Sequence, residues 1–200
     1  NSYFKDFFGW TTGRSKTITT SGTYTLNPLE NATGIVSAQI VNPAIPNATF
    51  YSLEYRQGTG FDAYLASTPQ SANQNGLIVN WVPKDFDPSV RILDLDATRG
   101  ESYILSAGST YTDAGRGIAI TASQPTSKGI TFSVDIKPPV CITNNPFGFV
   151  VSRYVEAKPG RDYFLDFVFA NMDSPTCPSA TIVISADLPA GWSLQSPNGD

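Results

Sequence analysis

Gly and Pro interrupt this chain about every eight to fifteen residues, and the runs between them are rich in Thr, Ser, Tyr, Phe, Val and Ile. Such residues suit a pleated, half-buried surface, and runs this short leave little room for long helices. The pattern predicts strands over 15–20, 22–26, 34–41, 49–56, 76–82, 91–96, 102–106, 117–123 and 129–136. Their succession is that of an antiparallel sandwich. One helix precedes them: in SYFKDFFGW, Tyr3, Phe4, Phe7 and Phe8 recur at helical spacing and Gly9 stops the run. That helix is expected to have one apolar face to hide. The fold class is therefore all-β, with a short N-terminal helix.

Prolines 138 and 139 in IKPPVC cannot donate to a strand ladder, so a boundary is expected after residue 136. Residues 1–136 then form a β-sandwich domain, and 137–200 an immunoglobulin-like one built from FGFVVSRYVEA, DYFLDFVFAN and ATIVISADL. Three or four strands fall short of the about seven strands and 100 residues of a closed immunoglobulin sandwich. Its open edge is expected to be completed by another segment or by a neighbouring subunit.

With 40% hydrophobic residues the chain can bury a substantial core. Thirteen basic residues without a cluster, and a net charge of −4, give no electrostatic footprint for nucleic acid. No apolar run approaches the roughly 18 to 20 residues that span a bilayer. The chain opens NSYFKD, with neither an initiator Met nor a signal peptide, which predicts a piece of something longer. Cys141 and Cys177 lie 36 positions apart and are expected to be disulfide-bonded. Closing that loop would stabilise the fold by about 4 kcal/mol in the chain-entropy model. Two sequons, Asn31-Ala32-Thr33 and Asn47-Ala48-Thr49, point with the disulfide to an extracellular, glycosylated protein.

The chain contains no histidine. Ser-His-Asp triads, Cys-His pairs and HExxH zinc sites are thereby excluded from it, and no P-loop or dinucleotide fingerprint is present. Asp94 and Asp96 share one face of a strand by alternation, and with Asp62 or Asp113 they could offer the hard oxygens that calcium takes. The other reading is a solvated strand edge, since no EF-hand spacing is present. In FYSLEYRQGTGFDAYL, alternation puts Tyr51, Leu53 and Tyr55 on one face and Ser52, Glu54 and Arg56 on the other. Glu54 and Arg56, two apart, can pair at a domain junction or line a solvated stripe. Trp10, Trp81 and Trp192 are either core residues or platforms for carbohydrate.

The ordered succession FKDFFGW, TITTSGTYTLNPLE, YSLEYRQGTGFDAYL, NGLIVNWV, RILDLDAT and GSTYTDAGRGIAI resembles the region downstream of the catalytic domain in secreted zinc metallopeptidases of the gametolysin and immune inhibitor A type. The resemblance covers roughly residues 1–136. Residues 141–193 resemble the immunoglobulin-like repeats appended to such enzymes and to some glycoside hydrolases, with Asn171, Asp173 and Pro189-Ala190-Gly191-Trp192 as matching positions. The metal-binding helix that makes those proteins peptidases is not in this chain. The resemblance therefore implies a non-catalytic accessory role, with Glu54, Tyr55 and Arg56 as structural or domain-contact residues. The implied partners are an upstream catalytic domain and an extracellular protein or polysaccharide. Two other readings are a structural subunit that assembles by strand complementation and a carbohydrate-binding module.

Overall fold

A computed structural model describes residues 1–45, 50–67, 76–83, 90–95, 103–145, 147–151 and 166–179, with single positions at 160, 181, 190, 191 and 193. Helix α1 (Ser2–Phe7) leads into β1 (Ser15–Ile18), β2 (Gly22–Leu26), β3 (Ser37–Ile40), β4 (Phe50–Tyr55), β5 (Leu77–Val82) and β6 (Arg91–Ile92). Strands β7 (Thr110–Asp113), β8 (Ile118–Ala122), β9 (Ile130–Ile136), β10 (Phe147–Val151) and β11 (Asp166–Ala170) come after these.

The strands form one sheet in the order β1-β3-β4-β5-β6, a second in the order β2-β9-β8-β7, and a separate β10-β11 pair. The all-β, sandwich-like architecture expected from the sequence is thus present. Among the described residues all strand pairings are antiparallel except β1 with β3, which run parallel. The reason is a crossover: after Ile18 the chain passes to the second sheet for β2 and then returns beside β1.

The core lies between the sheets. Alternation sends Tyr51, Leu53 and Tyr55 of β4 inward, where they meet Ile18, Ile40, Leu77 and Val79 of the same sheet and Leu26, Ile120, Phe132 and Val134 of the other. Fully burying side chains of this size is worth about 1.5–3 kcal/mol each. Strand β7 was not among the expected strands. Its four residues, TYTD, have the β-branched and aromatic character of a strand but sit close between Gly108 and Gly115. Of the expected strand at 102–106, the described part makes a single bridge, Leu105 to Leu77. The run at 180–188 lies almost wholly outside the described residues.

Gly117 shows what the β7–β8 connection demands. It ends a 3-10 turn (Ala114–Arg116) with φ of 61°, the left-handed region, and a Cβ there would collide with the Lys137 carbonyl. Beyond β9 the chain stays attached: Lys137 N–H donates to the Gly117 carbonyl at 2.8 Å, and Val140 N–H to that of Ala114 at 3.0 Å.

Candidate interaction surface

Helix α1 starts where the Asn1 side chain accepts from Phe4 N–H, and it ends at Gly9 with φ of 75°. The residues between are arranged opposite to expectation. The polar side faces the protein, and the apolar side faces out. Ser2 is wholly buried; its hydroxyl meets that of Ser52 at 3.0 Å and its backbone N–H donates to the Glu54 carboxylate. One turn later, the Asp6 carboxylate accepts from the hydroxyls of Thr11, Ser15 and Ser37. Lys5 pairs with Glu30 at 3.2 Å. Of these partners, Ser15, Ser37, Ser52 and Glu54 belong to strands of the first sheet, where the pairing register sets Ser37 opposite Glu54.

Glu54 is 2% exposed, and a polar group buried this deeply needs hydrogen-bond partners. Arg56 Nε donates to it at 3.0 Å, and Arg56 Nη1 continues to Asp62 at 3.2 Å. Burial works to lower the Arg56 guanidinium, but Glu54 and Asp62 outweigh it, so its pKa stands above the ordinary value. Burial pushes the Asp62 carboxyl up; Arg56 pulls it back and Glu30 adds to the rise. A chain of charges thus runs from the sheet to a 3-10 helix (Gly60–Ser67) that holds Asp62.

The opposite side of α1 is a cluster of rings. Phe7 and Trp10 are 71% and 70% exposed, Phe8 is 59% exposed, and Phe4 also reaches solvent. Neighbouring centroids lie close: Tyr3–Phe7 at 6.4 Å, Phe7–Phe8 at 5.3 Å and Phe8–Trp10 at 5.6 Å. Tyr3 also touches Phe50 of β4, so the cluster is rooted in the sheet.

The other sequence candidates fall in varied surroundings. Glu54 and Arg56 are brought together as the spacing suggested, and the groups they join belong to this chain: the sheet, α1 and Asp62. Tyr55 points into the core, with its hydroxyl 3.4 Å from the Thr126 carbonyl and accepting from Gln57 Nε2 at 3.0 Å. Of the proposed calcium ligands, Asp62 is held by Arg56, Asp94 is exposed, and Asp96 lies outside the described residues. Among the described residues no three His, Cys, Asp or Glu side chains converge as a metal site would need. Asp113 is instead bound to Arg116 Nη1 at 2.9 Å and accepts from the Tyr51 hydroxyl.

Asn31 is exposed, whereas Asn47 lies outside the described residues, as does Trp192. Trp10 is open to solvent, while Trp81 packs against the core with the Arg91 guanidinium 5.1 Å from its ring centre. Cys141 and Cys177 form the expected disulfide, with Cα atoms 4.6 Å apart. Among the described residues no helix is long and apolar enough to cross a membrane.

Ser2, Asp6 and Ser37 were not singled out in the sequence. Their signal was available: Ser2 and Asp6 are one turn apart on the helix face opposite the aromatics. The Tyr51–Tyr111–Asp113 cluster was also missed, because it joins residues some sixty positions apart.

The chain matches no protein-family model, no curated protein and no solved structure.

Proposed function

We propose that this chain is the non-catalytic accessory region of a secreted, multidomain zinc metallopeptidase, acting in domain packing and in holding substrate or matrix. The observation that carries this reading is the use made of Glu54. It sits in the YSLEYR strand that bears much of the resemblance, and its buried carboxylate is committed to the Ser2 N–H and to Arg56. A carboxylate held between a guanidinium and a helix is positioned for architecture, and it fixes a short element rigidly to a sandwich. Secretion is supported by the Cys141–Cys177 disulfide, a bond that persists in oxidising compartments, and by the exposed Asn31 sequon.

The test is the intact mass of the protein from its native source, before and after reduction and deglycosylation, together with light scattering. A longer chain that carries a metal-binding peptidase domain upstream of Asn1 is the expected result. A free-standing chain of this size that forms multimers would replace the proposal with a structural subunit joined by strand complementation.

A further inference from the structure

Cys141 and Cys177 lie in a joint whose other contacts are polar. Where the chain leaves the sandwich, Ile142 N–H donates to the Ser174 hydroxyl, that hydroxyl donates to the Val140 carbonyl, and Ser174 N–H donates to the Ile142 carbonyl, each at 2.9 Å. Asn144 adds two bonds at 2.8 Å, from its N–H to Asp173 Oδ1 and from its side chain to the Met172 carbonyl. The large apolar side chains here, Val140, Ile142 and Met172, are 58%, 39% and 53% exposed, so apolar burial does little to hold the joint. Hydrogen bonds open to water gain little by themselves.

The joint is docked on the sandwich at Gly115. That residue is buried in the 3-10 turn after β7, and a Cβ on it would come within 2.8 Å of the Ser174 Cβ. The β10–β11 pair sets Phe147 opposite Ala170, which brings the chain before Phe147 near the chain after Ala170 whether or not the cysteines are joined. What the bond adds is confinement of Ser174 and Cys177, further along, against Ile142 and Gly115.

Cys141 is exposed and Cys177 half-buried, so an incoming thiolate meets Cys141 first and Cys177 becomes the leaving group. Cys177 Sγ lies 3.5 Å from the Ser174 hydroxyl. A hydroxyl has one proton to give. With the bond closed it goes to the Val140 carbonyl; a Cys177 thiolate is the stronger acceptor and draws it away, which unfastens the joint.

We propose that Cys141–Cys177 is a site of reversible thiol–disulfide exchange, and that its opening by a dithiol undocks the 171–177 segment from Gly115 while the sandwich stays folded. A thiolate of the dithiol bonds to Cys141 Sγ as the S–S bond breaks, and Cys177 departs as a thiolate that then takes up a proton. The second thiol attacks the mixed disulfide and releases Cys141. The protein gains two electrons and two protons, and the dithiol becomes its own disulfide. The coupling is reciprocal: by whatever factor the bond favours docking, docking favours the bond. Both parties are segments of this chain, so nothing here requires a peptidase domain.

The test is amide hydrogen exchange on the full-length protein from its native source, poised with reduced and oxidised dithiothreitol, with the state of the bond read by thiol alkylation and mass spectrometry. Opening the bond should speed exchange at Ile142 and Ser174 by about tenfold or more while β4, β8 and β9 keep their protection. The Cys141→Ser/Cys177→Ser protein should match the reduced one with no reagent present. Gly115→Ala, isolated with the bond intact, should speed exchange at the same amides and move the equilibrium toward the thiols by a similar factor of about ten. Unchanged exchange after reduction would overturn the proposal, because hydrogen bonds alone would then hold the joint. Loss of protection in β4, β8 and β9 together with the joint would overturn it too, by making the bond a staple of the whole fold. So would resistance of the folded protein to dithiothreitol, or an equilibrium that Gly115→Ala leaves unmoved.

Discussion

Strand β4 is buried on both faces, and the two faces use opposite means. Its inner face meets the second sheet through Tyr51, Leu53 and Tyr55, with a polar addition at one end where the Tyr51 hydroxyl bonds Asp113 and lies 3.1 Å from that of Tyr111. Burial raises the Tyr51 hydroxyl far above the usual phenol range, so it stays protonated and donates. Its outer face meets α1 through Ser52 and Glu54, and there the contacts are hydroxyls, a carboxylate and a guanidinium. Apolar burial fills the space between sheets without demanding fixed angles. The outer face instead specifies one orientation of a short helix, because each donor must find its acceptor.

The comparison can be broken most strongly at Glu54. Glu54→Ala deprives Arg56 and the Ser2 N–H of their shared acceptor, and the expected loss is about 3 kcal/mol in denaturant unfolding. A loss below about 1 kcal/mol would mean that the Asp6 side alone holds the helix. On the inner face, Asp113→Ala removes the acceptor common to Tyr51 and Arg116, and about 2 kcal/mol should be lost. Since the apolar core remains, α1 should keep its amide protection in hydrogen exchange in that variant and lose it in Glu54→Ala.

A pH titration sharpens the same contrast. The folded-state carboxyl of Asp62 is raised above its unfolded value, so its contribution to stability is fully present below about pH 4 and is lost as pH rises through the raised value. Asp62→Asn cannot ionise. Its stability relative to the parent should therefore climb over that window, and a flat difference curve would sink the assignment. The smallest effect belongs to the exposed rings: Phe7→Ser should change stability by no more than about 0.5 kcal/mol. A large loss would mean that the aromatic cluster supports the fold of the isolated chain.

How much of the molecule was legible in the sequence depends on the range over which each signal acts. Tyr51, Leu53 and Tyr55 alternate with Ser52 and Glu54, so which side chains share a face could be read directly. The extent of α1 could be read too, from its ring spacing and Gly9. Its orientation could not, because amphipathic reasoning assumes water on the polar side, and here the surface under the helix offers Ser37, Ser52 and Glu54 as partners. Parallel pairing of β1 with β3 depends on which sheet β2 joins, and the chain carries no local mark of that choice. The Glu54–Arg56 pair was visible at a separation of two. Its extension to Ser2 depends on tertiary folding across 52 positions.

The Cys141–Cys177 bond also alters how force travels. A pull applied beyond Cys177 passes through the sulfur bridge to Cys141, 36 positions earlier, so the loop between them, with β10 and β11, is shielded from the load. Unshielded, that loop could release on the order of 120 Å of slack at full extension. The load next meets Val140 and Lys137, where backbone bonds to Ala114 and Gly117 fasten the strap to the turn after β7. Tension is thus delivered to the edge of the second sheet over a short path, and the bridge and sandwich together act as a stiff coupling.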